Sequence, residues 1–153
     1  MKKYCYLWLT YICLLFVGLN FTACSDDDEE VDLSQFEGTW GLVREELRDS
    51  EGEWSESYDP FNPNEDSNKI VVTKSGDNTY TIDYYGYYNG WHKEGTDRVA
   101  VDGNIMTLPD GSSEVGVARI AVCNSDELVI ESEGAYDDGH YEDCYSKMIY
   151  RRM

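Results

Sequence analysis

The hydrophobic pattern divides the chain into three parts. Residues 4–21 form an almost unbroken apolar run in which only Thr10 and Asn20 are clearly polar, and residues 25–30 are one serine followed by acids. Beyond residue 38, short β-rich runs alternate with turn signals, and no stretch of about 11 residues keeps the apolar stripe of an amphipathic helix. The pattern predicts an export leader, a polar spacer and an all-β domain.

Turn signals between the β-rich runs predict how the strands pair. Asn-Gly at 89–90 and Asp-Gly at 102–103 tolerate the positive φ of two-residue hairpin turns, so consecutive strands are expected to be antiparallel neighbours. The pair at 89–90 also fits a bulge inside one longer strand. The segment 48–67 is expected to be an exposed, irregular connection. The predicted strands are 39–47, 69–74, 79–85, 87–93, 98–101, 104–108, 115–123, 127–132 and 145–151.

The strand pattern predicts a closed fold. About eight or nine short antiparallel strands favour an up-and-down β-barrel of about eight strands, with a β-sandwich as the alternative. The 153 residues are enough for one domain. We expect a signal peptide over residues 1–23, a lipidated cysteine with an acidic tether over 24–36, and the barrel domain over 37–153.

The leader has the features of a bacterial export signal. Lys2 and Lys3 provide the positive start, and the apolar run ends in Phe21-Thr22-Ala23-Cys24, which resembles the lipobox of bacterial lipoproteins. This resemblance implies cleavage before Cys24 and acylation of its thiol. An uncleaved membrane-spanning helix is the alternative, but charge directly after the cysteine favours the lipid anchor. Residues 25–30 resemble the acidic export tag of Gram-negative surface lipoproteins, so we expect an outer-membrane, surface-exposed location.

The charge balance and the cysteines add two expectations. The formal charge is −19, and loss of Lys2 and Lys3 with the leader makes the mature chain more acidic still. Such a surface repels phosphate and anionic headgroups, so we expect no nucleic-acid partner, and membrane attachment only through Cys24. Cys123 and Cys144 remain in the domain. An oxidising compartment favours a disulfide between them, whereas a simple meander would separate their thiols.

Several fragments of the β domain resemble the lipocalin family. Phe36-Glu37-Gly38-Thr39-Trp40 is similar to the Gly-x-Trp start of lipocalins and of bacterial lipocalin-like lipoproteins. Fragments at 79–82, 102–108, 120–130 and 148–152 fit the bacterial group in order and spacing. The resemblance implies a lipocalin-like barrel whose one end is plugged by Trp40, with Arg98 or Arg151 packing on the indole. No ligand-binding residue carries over.

An aromatic run provides the candidate contact residues. Alternation places Tyr84 on the face of Tyr80 and Ile82 and sends Tyr85 to the other face, so some rings must be exposed or line a cavity. Tyr and Trp offer flat apolar area with a polar tip, which suits sugars, aromatic ligands or a protein surface. Cross-strand aromatic pairing in a half-buried sheet is the structural alternative. The candidate ligand or partner contacts are Tyr84, Tyr85, Tyr87, Tyr88 and Trp91.

No motif for catalysis or metal binding stands out. The chain lacks Gly-x-Ser-x-Gly, His-Glu-x-x-His and a phosphate loop, so we expect neither enzymatic activity nor a cofactor. His92 and His140 lie beside acids but without the spacing of zinc ligands. The oxygen-rich segments 62–68 and 137–143 do not match the hand-type calcium loop, so we expect no metal site.

Two functions fit these expectations. In the first, a lipid-anchored lipocalin-like barrel binds a small apolar or aromatic ligand in its mouth. In the second, a filled barrel uses exposed tyrosines or acidic loops to contact a surface protein or a glycan. Barrels of about eight strands can be just filled or just hollow, so the packing of the interior decides between them.

Overall fold

The computed structural model describes residues 31–49, 51–108, 115–137 and 140–153. The predicted leader, Cys24 and the acidic residues 25–30 lie outside these ranges. Within them, no helix is long and apolar enough to cross a membrane. A short 3-10 turn at Leu33–Gln35 precedes the strands β1 (Gly38–Arg48), β2 (Glu53–Ser57), β3 (Asn68–Lys74), β4 (Thr79–Tyr87), β5 (Trp91–Asp102), β6 (Ile105–Thr107), β7 (Val115–Cys123), β8 (Glu127–Asp137) and β9 (His140–Arg152).

The strands form a closed antiparallel barrel. The order is β2-β1-β3-β4-β5-β6-β7-β8-β9, and β9 also pairs with β1, which closes a ring of eight strands. β2 lies outside this ring. It pairs with residues 44–48 of β1, beyond the point where β3 ends its pairing with residues 38–41. The up-and-down barrel predicted from the sequence is confirmed, and the sandwich alternative is wrong.

Two strand predictions are corrected by the structure. The predicted strand 87–93 instead contains the end of β4, the hairpin turn and the start of β5, and the predicted strand 98–101 is part of the same β5. Asn89-Gly90 is the tip of this hairpin, with φ values of 53° and 138°. β2 lies inside the segment predicted as an irregular connection. All five of its residues, Glu53–Ser57, are exposed, so the sequence there shows no alternation of buried and exposed positions.

Large apolar side chains fill one half of the barrel. Tyr80 and Ile82 of β4 face inward, and their cross-strand partners continue the same face around the ring. This half is packed tightly enough that its side chains are almost inaccessible to solvent. The buried cluster comprises Phe36, Trp40, Leu42, Ile70, Val72, Tyr80, Ile82, Val99, Val101, Met106, Ile120, Cys123, Leu128 and Tyr150.

The segment before β1 packs against this filled half. The Phe36 side chain is fully buried, and Val31 and Leu33 contact the core. The Asp32 amide donates to the Cys123 carbonyl at 2.8 Å. We predicted a tether through residue 36, but residues 31–36 instead pack on the barrel, because their apolar side chains cover its closed end. The tether prediction for residues 24–30 concerns residues outside the described ranges.

The register separates the two cysteines of the domain. Cys123 pairs with Leu128 near the start of β8, whereas Cys144 precedes Tyr145, which pairs with Glu133. The two positions are therefore about 20 Å apart along the barrel wall, at about 3.3 Å per residue. A disulfide between them would need Cα atoms within about 7 Å. The meander argument therefore gives the correct result, and Cys123 and Cys144 do not bond to each other.

Candidate functional site

Trp40 lies in the core at the closed end of the barrel. Its ring is fully buried, and its indole Nε1 donates to the Phe36 carbonyl at 3.0 Å. The guanidinium of Arg152, the cross-strand partner of Trp40, lies 4.1 Å from the ring centroid. Arg152 also donates to the carbonyls of Ser125 at 3.0 Å, of Glu37 at 2.9 Å, and of Gln35. This end is therefore sealed by a hydrogen-bonded cap.

The predicted arginine partners of Trp40 are wrong. Arg98 pairs with Thr81 on the outer face of β4 and is exposed, and Arg151 pairs with Gly41 and also points outward. Alternation along β9 explains the difference, since Tyr150 faces inward and the next inward position is Arg152.

The opposite end of the barrel, which we call the mouth, has smaller and more polar inward-facing side chains. Ser132 and Ser146 face each other across β8 and β9, with their hydroxyls 2.6 Å apart. Gly95 lies opposite Tyr84, which is 37% exposed although it continues the inward face of Tyr80 and Ile82. Solvent therefore reaches the inner wall at the mouth but not at the Trp40 end.

Tyr150 forms the floor of the mouth. It is only 5% exposed, and its hydroxyl donates to the Met148 sulfur at 3.2 Å. Burial, followed by the nearby Tyr84 and the Glu45 carboxylate, raises the pKa of Tyr150. A thioether sulfur is a weak acceptor, so this buried hydroxyl retains capacity for a stronger hydrogen-bond partner.

Carboxylates occupy the mouth wall. Glu45 of β1 faces inward beside Met148 and lies directly opposite Glu56 of β2. Burial and then the Glu56 charge raise the pKa of Glu45. The neighbouring Tyr58 has a pKa raised to about 12 by burial and by Glu56 and Glu45. Neither carboxylate forms an ion pair within the described residues.

Asp97 lies near the Tyr84 side of the mouth. It pairs with the inward-facing Ile82 and is nevertheless exposed. Burial, then the Asp97 charge and a hydrogen bond from the Tyr84 hydroxyl to this carboxylate, raise the pKa of Tyr84. Glu45, Tyr150, Tyr84 and Asp97 thus all lie on the inward face towards the mouth.

The other predicted aromatic contacts lie on the outer wall. Tyr85, Tyr87 and Trp91 are partly buried and form an outer aromatic cluster, in which the Tyr87 and Trp91 rings pack edge to face at 5.3 Å. Lys69 lies over both Trp91, at 4.5 Å, and Tyr85, at 5.3 Å. Tyr88 is 64% exposed in the hairpin turn. The structure therefore separates Tyr84 from the other four candidates.

His92 and the oxygen-rich loop 62–68 form local interactions with their own chain segments. His92 is exposed and its Nε2 lies 2.8 Å from the Tyr88 carbonyl, while the side chain of His140 is outside the described part of the chain. Asn64 binds the Ser67 hydroxyl and the Asp66 amide within its own loop. No three His, Cys, Asp or Glu side chains among the described residues are arranged to hold a metal ion.

Sequence reasoning missed Glu45, Asp97, Tyr150 and Arg152. The alternation of β9 could have identified Tyr150 and Arg152, since both share the inward face of Met148. Glu45 could not be found that way, because the register of β1 shifts between Leu42 and Arg44. That bulge reverses the order of inward and outward positions.

Comparison with solved structures identifies the fold. The siderocalin Ex-FABP, described as functioning through dual ligand specificities, aligns over 78% of this chain and 74% of its own, with 14% identity and a TM-score of 0.51. The barrel is lipocalin-like. At this level of identity the likeness concerns the fold alone.

Two further solved structures align with lower scores. A second siderocalin, described as revealing a dual ligand binding mode, aligns over 78% of this chain and 71% of its own, with 15% identity and a TM-score of 0.49. A DUF3598-family protein of unknown function from Nostoc punctiforme aligns over 86% of this chain and 53% of its own, with 10% identity and a TM-score of 0.48. No family model and no curated protein sequence matches this chain.

Proposed function

We propose that this chain is a non-catalytic carrier: a surface lipoprotein, anchored in the outer membrane through Cys24, whose lipocalin-like barrel binds a small apolar or aromatic ligand in its mouth. The leader, the lipobox-like segment ending at Cys24 and the acidic residues 25–30 support the location.

The observation that carries the binding proposal is the uneven filling of the barrel. The Trp40 half is packed with large apolar side chains that exclude solvent, whereas several inward-facing residues at the mouth are small and only partly buried. At the mouth, the inner faces of β8, β9 and β5 carry Ser132, Ser146 and Gly95. Nearer the Trp40 end, the same strands carry the larger Leu128, Tyr150 and Val99. Barrel mouths of this kind are common positions for small-molecule sites.

Native mass spectrometry of the protein, purified gently from its source membrane fraction, tests this function. A reproducible small-molecule mass that disappears on unfolding is expected. Ser146→Trp should fill the mouth and abolish that mass. Ser57→Trp, at an exposed position on the outer face of β2, provides the matched control and should retain it. Retention of the same mass by Ser146→Trp would contradict binding in the mouth.

The outer aromatic cluster favours a second candidate function, in which the barrel wall contacts a surface protein or a glycan. Tyr88 and the partly exposed Tyr87 and Trp91 offer apolar area at the end of the β4–β5 hairpin. A photo-crosslinking amino acid at position 88, compared in intact cells with one at the exposed Asp102 at the opposite end, tests this function. A discrete adduct from position 88 alone would support it, and identical adduct patterns would contradict it.

A further inference from the structure

The basic side chains near the mouth lie on its outer wall, whereas the charged side chains on its inner wall are carboxylates. Glu45 and Asp97 lie on the inward face of the ring, and Glu56 of β2 lies beside Glu45. The basic side chains at the same level point outward: Arg44 pairs with Glu46, Lys93 with Asp83, and Arg119 and Lys147 with Glu131. Lys69 lies over the outer aromatic cluster. Within the described residues, the inner wall of the mouth therefore carries no Lys or Arg.

Two bulges produce this separation. In β1 the register shift after Leu42 turns Arg44 outward and Glu45 inward; regular alternation from Trp40 and Leu42 would have placed Arg44 inside. In β5 the shift between Gly95 and Lys93 similarly turns Lys93 outward. The two strands would otherwise each direct a cation into the barrel.

Two features of this wall favour a ligand that carries a positive charge and a polar atom. Glu45 and Glu56 are directly opposed across the β1–β2 ladder, where like charges destabilise a strand pair. The Tyr150 hydroxyl is buried against a thioether sulfur, next to Glu45 and Tyr84. A positively charged donor group on a ligand would relieve the repulsion between Glu45 and Glu56. A polar ligand atom at the floor of the mouth would give the Tyr150 hydroxyl a stronger hydrogen-bond partner.

Resting on the proposed function, we propose that the ligand is a small organic cation, whose protonated amine lies against one of the inner-wall carboxylates, Glu45 or Asp97, and whose apolar or aromatic body lies on Tyr84, Met148 and Tyr150. Aromatic faces also attract cations directly. The same charges disfavour fatty acids and other carboxylate ligands, because the inner wall of the mouth has no cation to pair with them.

Three probes with the same aromatic body test the charge preference. We would measure binding of 1-naphthylmethylamine, 1-naphthalenemethanol and 1-naphthoate to the full chain in a non-ionic detergent by calorimetry. The amine should bind at least about tenfold more tightly than the alcohol, and the carboxylate most weakly. The double variant E45Q/D97N should lose the advantage of the amine while still binding the alcohol.

A matched control separates the mouth from the general negative charge of the surface. D77N/D102N removes the same charge from two exposed positions at the Trp40 end of the barrel and should leave the preference unchanged. The single variant E45Q, with its thermal unfolding measured, covers the case in which the double variant is unstable. Equal loss in both double variants would overturn the proposal.

The remaining outcomes distinguish this proposal from the function on which it rests. If all three probes bind equally and Ser146→Trp blocks them, the mouth binds ligands but does not select cations. If none of the probes binds, the cation proposal is overturned, and the native mass measurement decides the carrier function independently.

Discussion

Arg152 stacks on Trp40 and at the same time bonds the backbone that leads into β1. Its guanidinium lies 4.1 Å from the indole centroid and donates to the carbonyls of Gln35, Glu37 and Ser125. One side chain at the end of the last strand thus fixes the first turn of the domain, the β7–β8 turn and the plug of the closed end. The planar guanidinium can bond several carbonyls while stacking, which an ammonium cannot do.

Arg152→Ala should therefore destabilise the domain strongly. We expect a loss of about 2–4 kcal/mol in the free energy of unfolding, from the stacking and the charged hydrogen bonds to backbone carbonyls. Denaturant unfolding followed by tryptophan fluorescence measures it. Arg151→Ala, one residue away on the outer face, should change stability by less than about 0.5 kcal/mol. Equal effects of the two variants would contradict the assigned role of Arg152.

Gly38→Ala should also disrupt the closed end. The Gly38 φ is 149°, and an added Cβ would lie 2.2 Å from a guanidinium nitrogen of Arg152. Gly52 has nearly the same φ, 151°, but no atom lies near the position of an added Cβ. Gly52→Ala therefore measures the effect of the backbone strain alone. Gly52→Ala should cost about 1 kcal/mol, and Gly38→Ala clearly more, since it adds displacement of Arg152 to that strain. The idea fails if the two substitutions shift the unfolding midpoint equally.

Regular alternation and turn chemistry were readable from the sequence, whereas irregularities of register were not. The faces of Tyr80, Ile82 and Tyr84 followed from a period of two residues, and the plugging role of Trp40 followed from the family resemblance. The inward position of Glu45 depends on a bulge that no residue type marks. β2 was missed because its outer and inner faces are both exposed, so burial imposes no pattern on its sequence.

Glu131 should make the stability of the barrel dependent on acid. Burial opposes its ionisation, but Arg119 at 2.5–2.9 Å and the Tyr145 hydroxyl at 3.0 Å outweigh this and lower its pKa below the ordinary value of 4.5. A carboxyl group whose folded pKa lies below its unfolded pKa stabilises the fold above the unfolded value, and this contribution is lost as the pH falls through the folded value.

Glu131→Gln should accordingly reduce stability by about 1–3 kcal/mol at pH 7 and have little effect below the folded pKa. Urea unfolding at a series of pH values from 7 down to about 3 measures the difference. Glu133→Gln, an exposed neighbour on the same strand, should follow the pH profile of the unaltered protein. A constant difference between Glu131→Gln and the unaltered protein across this range would exclude the titration of Glu131 as its source.

Cys123 should resist alkylation in the folded protein. Its side chain is fully buried at the end of β7, and burial, with a smaller contribution from Asp32, raises the pKa of the thiol to about 11. At pH 8 very little thiolate is present, and iodoacetamide reacts with the thiolate form. Peptide mass spectrometry should find Cys123 unmodified until denaturant is added and then modified rapidly. Residues 31–33 cover this position. Replacing Val31 and Leu33 with serine should therefore expose the thiol and increase its labelling rate. Unchanged protection would show that the segment before β1 does not seal this end of the barrel.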